Sequence, residues 1–415
     1  MELKRVVVTG LGALTPIGNN VQEYWEGLIS GTSGAAPITR FDASKFKTRF
    51  ACEVKNYNPL DHFDKKEIRK MDLYTQFAMI ASKEAIADAN FDNEKLDHDR
   101  IGVIFGSGIG GLQTYEDEIR NFVLGNGTPR FNPFFIPKMI SDMAAGLISI
   151  ENKFHGPNYA TVSACATSSN AIIDAYNILR LGMADAMVTG GAEAAITHAG
   201  VGGFNALRAI STRNDDPKTG SRPFDKDRDG FVIGEGGGAI ILETYEHAKA
   251  RGAKIYAEIL GVGMSADAYH MTAPHPQGKG ASLVMKNALK DANLQSQAVD
   301  YVNVHGTSTP LGDTSEIIAI KDVFGEHAYR LNVSSTKSMT GHLLGAAGAI
   351  EAIASILAIQ NGIVPPTINH FTDDPAIDPE INLTYNKAQK RDLNVVISNT
   401  FGFGGHNASI IFGKF

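Results

Sequence analysis

Cys165 lies in the run "TVSACATSSNAI", where a strand-like segment ends and a helix-like segment begins. Apolar residues then recur at helical spacing, at Ile172, Ile173, Tyr176 and Leu179. The start of a helix offers unpaired backbone N–H groups and the positive end of the helix dipole, and both favour a thiolate. An unpaired cysteine is also a common small core residue. We expect Cys165 to be a nucleophile, and Cys52 in "FACEVKN", which lacks this setting, to be structural.

A thiol nucleophile needs groups that hold or move protons, and the second half of the chain supplies candidates. His305 lies in "VNVHGTSTPLGD", and Lys337, His342 and Glu351 lie in "SSTKSMTGHLLGAAGAIEA". Both histidines follow strand-like runs and lie in turns rich in glycine and threonine. Metal binding is an alternative, but the spacing is not that of a short helical histidine pair and no further ligand cluster accompanies it. We therefore expect proton chemistry and no metal.

The elements that must position these residues follow one plan twice. "RVVVTGLGALTP" resembles "IYAEILGVGMSADA", "IGVIFGSGIGG" resembles "YVNVHGTSTPLGD", and the Cys165 segment resembles the segment that carries His342. The order is the same in both halves, which indicates a duplicated α/β fold. Near-continuous apolar strands such as "GGAIILE" favour sheets covered by helices on both faces. We place the two halves at residues 1–254, with the nucleophile, and 255–415, with the two histidines.

Composition narrows the class of protein. The chain has 415 residues, a net charge of -7 and two cysteines, which argues against a general nucleic-acid binder and against a disulfide framework. No apolar run approaches the roughly 20 residues of a membrane span, and a cytoplasmic location is expected. One basic patch, Lys65, Lys66, Arg69 and Lys70, interrupts the acidic balance; it is either a solvated helix face or a contact for an acidic partner.

The glycines of "GSGIGG" match a dinucleotide fingerprint only formally, because no acidic residue ends a second strand at the required distance. This turn is expected to line a pocket instead. The segment 130–146, "RFNPFFIPKMISDMAAG", has no counterpart in the second half. It is expected to cover a site or to build a dimer face.

Four blocks in this order, "SACATSSNA", "HGTSTPLGD", "SSTKSMTGHLLGAAGAIEA" and "NTFGFGGHNA", resemble the signature blocks of elongating β-ketoacyl-[acyl carrier protein] synthases. The similarity extends over nearly the whole chain. It implies the duplicated thiolase-like α/β/α/β/α five-layer sandwich, and an acyltransferase that performs a decarboxylative Claisen condensation in type II fatty acid biosynthesis. His406 stands where some relatives carry threonine, without effect on the catalytic assignments.

The resemblance also assigns roles. Cys165 would take an acyl chain from acyl carrier protein as a thioester, and His305 and His342 would act on malonyl carrier protein by holding the enolate that loss of CO2 leaves. Backbone N–H groups of Cys165 and Phe403 would stabilise the tetrahedral oxyanion. Lys337 would order the site electrostatically with Glu351 as its partner, although a purely structural role for this pair is an alternative.

Further residues are assigned to substrate and partner. Thr307 and Thr309 would bind the phosphopantetheine arm, with ordinary turn capping as the alternative, and the acyl channel would be lined by Ile109, Phe204 and Phe403. Acyl carrier protein is acidic in general, so the docking contacts would be Lys65, Lys66, Arg69, Lys70 and Arg208. A homodimer and no metal or organic cofactor are implied.

Three alternatives remain open from the sequence. A free-standing polyketide ketosynthase would share the chemistry but act on other chains. A non-catalytic chain-length partner would share the fold but lack the nucleophile. A cysteine hydrolase would release free acid, and it is disfavoured because no Asn or Asp orienter stands in a recognisable Cys-His arrangement.

Overall fold

A computed structural model describes residues 3–91 and 96–415. Its helices are α1 Val21–Ile29, α2 Lys65–Ile68, α3 Leu73–Asp88, α4 Leu112–Leu124, α5 Phe135–Met139, α6 Met143–Asn152, α7 Thr167–Arg180, α8 His198–Ala206, α9 Tyr245–Ala250, α10 Lys279–Asp291, α11 Pro310–Phe324, α12 Lys337–Thr340 and α13 Ala347–Asn361. Its strands are β1 Val6–Leu14, β2 Ala36–Pro37, β3 Phe50–Ala51, β4 Ile101–Gly106, β5 Asn158–Tyr159, β6 Ala186–Glu193, β7 Gly236–Thr244, β8 Ala257–Ala266, β9 Tyr301–Asn303, β10 Asn332–Ser334, β11 Ile363–Val364, β12 Gln389–Lys390, β13 Val395–Gly402 and β14 His406–Gly413.

Ten of these strands form the main sheet, in two sets of identical topology. The first set runs β1-β7-β6-β4-β5 and the second runs β8-β14-β13-β9-β10. When the five strands of each set are numbered in chain order, both sets have the spatial order 1-5-4-2-3. The sets join where Val6–Val8 pairs antiparallel with Ala257–Ile259. The predicted duplication is therefore confirmed at the level of strand order.

Helices divide the two strand sets into layers. On the outer face of the first set lie α3 and α6, and on the outer face of the second set lies α10, packed against α11. Between the sets, α7 and α13 pack on each other and on strands of both sets. Three large apolar clusters fill the outer and central interfaces. This arrangement confirms the predicted five-layer sandwich.

The central helices begin in the same way. A tight turn, Ala164–Ala166, leads into α7, and the turn Leu344–Ala346 leads into α13. In both turns the first residue, Ala164 or Leu344, has a φ of +50°, a left-handed conformation that non-glycine residues adopt only where the surroundings enforce it. The duplication thus brings two equivalent helix starts to the middle of the molecule. The boundary after residue 254 falls between α9 and β8 and stays a prediction.

One segment of the described chain reaches membrane-span length. Residues Leu344–Asn361 form an 18-residue stretch of mean hydropathy 1.4. This apolar stretch is longer than the apolar runs that we expected from the sequence. Of this stretch 89% is buried inside the protein. A helix that is apolar all round is expected at the centre of a layered fold, and this one is the core helix of the second half.

Candidate active site

Cys165 occupies the turn before α7, buried, with 8% of its surface exposed. The end of β13 passes close to it, because Gly402 has no side chain: a Cβ there would lie 2.8 Å from the Ser163 carbonyl oxygen and 3.1 Å from the Cys165 nitrogen. This close approach brings the backbone N–H of Phe403 near the Cys165 sulfur, where it acts to lower the pKa of the thiol. The backbone N–H of Cys165 itself acts in the same direction. Two N–H groups therefore lie beside the atom that would carry an acyl group.

His342 is held as a hydrogen-bond donor toward Cys165. Its Nε2 lies 3.0 Å from the Cys165 Sγ, and its Nδ1 accepts the backbone N–H of Leu344 at 3.3 Å. An acceptor Nδ1 leaves the proton on Nε2 in the neutral ring. The Phe231 ring packs edge-on against this imidazole, with centroids 5.3 Å apart, and fixes its plane.

His305 completes a three-membered cluster. The Cys165 Sγ and one ring nitrogen from each of His305 and His342 lie within 4.8 Å of one another. The Glu316 carboxylate holds the loop by accepting the backbone N–H groups of His305 and Gly306 at 2.9 and 2.8 Å. The His305 Nδ1 is buried and has no hydrogen-bond partner in the described part of the chain, so no neighbour fixes its tautomer.

Both imidazoles are neutral near pH 7. Burial lowers the pKa of His342 well below its ordinary value, and the positive charge of Lys337 lowers it further. Burial and the Lys337 charge act in the same direction on the pKa of His305, with a contribution from His342. Each ring therefore carries one N–H and one free lone pair, which suits donation to a developing negative oxygen.

The same three residues have metal-ligand types, and their geometry argues for hydrogen bonding. Zinc bonds of about 2.3 Å to sulfur and 2.0 Å to nitrogen would place tetrahedral ligand atoms roughly 3.5 Å apart. The His342 Nε2 lies 3.0 Å from Sγ, and its proton points at the sulfur rather than a lone pair at a metal. The arrangement is thus that of a donor and a thiol.

The thiol itself differs from expectation. Burial raises the pKa of Cys165 to about 11, while the Phe403 N–H and the Lys337 charge act against this rise. The expectation that the helix terminus favours a thiolate is therefore wrong for the enzyme without substrate, because the loss of hydration outweighs the local donors. Burial raises the pKa of Cys52 further, to about 12, consistent with its expected structural place.

Lys337 and Glu351 form an ion pair beside the cluster. The Lys337 Nζ donates to the Glu351 Oε1, and both side chains are at most 2% exposed. Burial raises the pKa of Glu351 to about 7 even though Lys337 opposes that rise. The pair does not line the cavity described next. The positive charge of Lys337 acts on the thiol and on both imidazoles, because the protein interior screens it poorly.

A cavity of about 550 Å³ opens onto Cys165. It gathers nine of the residues predicted from the sequence: Cys165, His305, His342, Phe403, Ile109, Phe204, Thr307, Thr309 and Arg208. The Thr307 and Thr309 hydroxyls lie 3.0 Å apart. Thr309 precedes α11 without a side-chain capping bond, so its hydroxyl is not used in ordinary helix capping, and the residue lines the cavity.

Comparisons with known proteins agree along the whole chain. Residues 3–248 match the family model "Beta-ketoacyl synthase, N-terminal domain", and residues 256–371 match "Beta-ketoacyl synthase, C-terminal domain". The chain belongs to the beta-ketoacyl synthase family. The 3-oxoacyl-[acyl-carrier-protein] synthase 2 of Synechocystis sp. is 54% identical to this synthase over 100% of the chain and 99% of the relative. The protein of that name from Staphylococcus aureus is 52% identical, with 99% of both chains covered.

Solved structures give the same family. A beta-ketoacyl synthase from Burkholderia phymatum superposes on this synthase with a TM-score of 0.92 and 37% identity, covering 99% of this chain and 100% of the other. A type II polyketide ketosynthase, solved in complex with its acyl carrier protein and bound to the hexaketide, has a TM-score of 0.91 and 33% identity with full coverage of both chains.

The basic patch of the synthase lies apart from the cavity lining. Lys65 and Lys66 are in α2, a short helix opened by a capping box of Asp64 and Glu67, and Arg69 and Lys70 follow directly. All four basic side chains are exposed. Arg208 is exposed as well, but unlike these four residues it lines the cavity.

Several cavity residues of the synthase were missed in the sequence. Glu193 and Glu316 are buried carboxylates that line the cavity and bind backbone N–H groups. Phe231 and Phe401 pack on the two histidines. An acidic residue that ends a glycine-rich buried strand, as in "VTGGAEA", is the signal that could have identified Glu193.

Proposed function

We propose that the chain is an elongating 3-oxoacyl-[acyl carrier protein] synthase of type II fatty acid biosynthesis, with Cys165 as nucleophile. The observation that carries the proposal is the cluster of one thiol and two neutral imidazoles, with the backbone N–H groups of Cys165 and Phe403 beside the sulfur. The 52–54% identity to relatives of that name supports the choice of reaction.

Acyl transfer is the first step. The Cys165 sulfur attacks the thioester carbonyl of acyl carrier protein, and the N–H groups of Cys165 and Phe403 hold the tetrahedral oxyanion. The new C–S bond forms as the pantetheine C–S bond breaks. The thiol proton ends on the departing pantetheine sulfur, and a neutral imidazole within 4.8 Å can relay it.

Decarboxylation and condensation follow. The malonyl C–C bond breaks, CO2 leaves with neither electron of that bond, and the electron pair forms an enolate. N–H groups of His305 and His342 stabilise its oxygen, and removing one such donor typically costs about 3–4 kcal/mol of barrier. The enolate carbon attacks the Cys165 thioester, the acyl C–S bond breaks, and the departing thiolate takes a proton from solvent, which balances the negative charge that the malonyl carboxylate brought in. Side chains and backbone N–H groups of the chain, with this solvent proton, account for the whole cycle, so the proposal includes no metal or organic cofactor.

The docking proposal assigns the acidic acyl carrier protein to the basic surface. Lys65, Lys66, Arg69 and Lys70 are exposed, and Arg208 stands at the cavity lining where a phosphopantetheine arm would enter. Thr307 and Thr309 would bind that arm deeper in the same cavity. Opposite charges would steer the encounter, and salt would weaken it. The proposed location is the cytoplasm.

A homodimer is part of the proposal. Strand β5 ends the main sheet and exposes both of its residues, so its backbone groups are open to a further strand. Helix α4 and the segment 130–146 expose large apolar side chains, at Tyr115, Val123, Leu124, Phe131 and Ile136. Such a surface is typical of a subunit interface, and part of it lies in the segment 130–146.

Product analysis tests the function. Defined acyl and malonyl carrier proteins should give a 3-oxoacyl carrier protein two carbons longer than the primer. The similarity to a polyketide ketosynthase makes repeated extension without reduction the result of the second candidate. Single extension favours the proposal, and an unreduced polyketide chain contradicts it.

A further inference from the structure

Glu193 joins two parts of the cavity that the proposed mechanism uses separately. It ends β6, and its side chain is fully buried. Its Oε1 accepts the Ser107 hydroxyl at 2.9 Å and the Ile109 N–H at 3.1 Å. Its Oε2 accepts the Gly108 N–H and the Gly345 N–H, each at 2.9 Å. One carboxylate therefore binds the turn that carries Ile109 and the turn that follows His342.

Neither turn could approach the carboxylate with larger residues. A Cβ on Gly108 would lie 2.8 Å from the Glu193 Oε2. A Cβ on Gly345 would lie 2.6 Å from the same oxygen and 2.4 Å from the Gly108 nitrogen. The two turns thus meet back to back around Glu193, at distances that only glycine allows.

Each turn has its own part in the site. The first presents Ile109 to the cavity. The second includes Leu344, whose N–H fixes the His342 tautomer. No lysine or arginine pairs with Glu193 among the described residues, so the carboxylate depends on the four donors alone. A buried, fully hydrogen-bonded side chain of this kind holds its neighbours in one geometry.

We propose that Glu193 is a positioning residue that couples the acyl-channel turn at Ile109 to the orientation of His342. This inference rests on the proposed function, because it takes the roles of Ile109 and His342 from there. Glutamine at this position keeps the shape but turns an NH2 group toward one pair of donors. Backbone N–H groups cannot rotate away, so in either orientation of the amide the NH2 group faces at least one of them: that of Ile109, or those of Gly108 and Gly345. The coupling predicts that the disturbance reaches both turns.

The test uses three readouts from one variant, Glu193→Gln. In a Cys165→Gln background, which mimics an acylated side chain, malonyl decarboxylation should fall roughly 10- to 100-fold, as for other residues that orient catalytic groups. In the Cys165 enzyme, the dependence of acylation on primer length should change as well. The Glu193 charge raises the pKa of the Cys165 thiol, so the pH midpoint for alkylation of Cys165 should move downward in Glu193→Gln, an effect that lost packing alone would not produce.

Controls separate the possible failures. Glu243→Gln alters another buried carboxylate of the same sheet, bound to Thr9, His247 and Arg251 away from the cavity, and should change none of the three readouts per folded molecule. Equal losses in Glu243→Gln, or an unchanged value of any of the three readouts in Glu193→Gln, would overturn the coupling. Retained decarboxylation in Cys165→Gln/His342→Ala would overturn the proposed function, and the coupling with it.

A milder variant keeps the inference testable if Glu193→Gln does not fold. Ser107→Ala removes one donor to Oε1 and the acceptor of the Gly110 N–H, and leaves the Gly345 contact intact. It should shift the primer-length profile and keep decarboxylation within about twofold, a change well below the effect of a lost catalytic donor. An unchanged length profile in this variant would contradict the proposal.

Discussion

Ile109→Phe should shorten the longest acyl chain that the synthase accepts. Ile109 lies in the turn between β4 and α4, is 39% exposed, and lines the cavity together with Cys165 and Phe204. In the wild-type enzyme each methylene that enters an apolar channel contributes about 0.8 kcal/mol. This corresponds to roughly a fourfold rise in kcat/KM for acylation per methylene.

A phenylalanine at this position would block the channel beyond the ring. Each methylene that can no longer enter loses that fourfold factor, so a primer with four excluded methylenes should lose about 3 kcal/mol, roughly 200-fold in kcat/KM. Primers too short to reach residue 109 should react within about threefold of wild type, unless the ring strains the turn, which typically costs about 1–3 kcal/mol.

Mass spectrometry of the Cys165 acyl-enzyme, with primers of increasing length, measures the effect. Ile318→Phe is a matched control, because Ile318 is 41% exposed on α11 and does not line the cavity. Alkylation of Cys165 reports that the thiol stays reactive. Parallel wild-type and Ile109→Phe profiles would refute the placement of Ile109 in the channel, and an equal loss at every length would show general distortion instead.

Four further predictions follow from the same geometry. Lys337→Met should lower the free energy of unfolding, measured by urea titration, by about 3–5 kcal/mol, since it leaves a buried carboxylate unpaired. The double variant Lys337→Met/Glu351→Gln should recover much of that loss, and a Lys337→Met protein as stable as wild type would contradict a buried pair. Burial raises the pKa of Glu316 to about 7, above its value in the unfolded chain. The contribution of this group to the free energy of unfolding should therefore fall by about 3 kcal/mol as pH rises from about 4.5 to 7. Glu316→Gln should flatten that part of the pH profile of stability, and a slope identical to that of wild type would be contrary evidence. Lys65→Glu/Arg69→Glu should raise KM for acyl carrier protein and spare small pantetheine thioesters, with exposed Lys290→Glu as control; equal losses with both substrates would indicate misfolding. Acyl thioesters and limiting alkylating agent should label Cys165 before Cys52, which has 1% of its surface exposed, and peptide mapping that finds Cys52 first would reverse the assignment.

The duplicated fold was predictable because its signals are local. The apolar runs of β1 and β8, and of β4 and β9, recur in the same order, and each half repeats a short turn before its central helix. Such patterns determine which segments become strands and helices. The joining of the two strand sets at Val6–Val8 depends on pairing between distant segments, and no local pattern encodes it.

The site was predictable where residues carry a motif. Cys165, His305 and His342 meet as expected, although they lie up to 177 positions apart. Glu193 and Glu316 were missed because most of their partners are backbone N–H groups, which leave no pattern of residue types. The raised pKa of Cys165 was missed for a related reason: it depends on how completely the folded chain excludes water from the sulfur.

Cys165→Gln tests the central claim most directly, because the two halves of the proposed reaction depend on different residues. Carbon dioxide release and carrier-bound products are measured together by mass spectrometry, from malonyl and acyl carrier proteins. Wild type should form the 3-oxoacyl product, and Cys165→Gln should form none while it still releases CO2 at the wild-type rate or faster. Condensation by Cys165→Gln, or release of free acid by the wild type in place of the 3-oxoacyl product, would contradict the account.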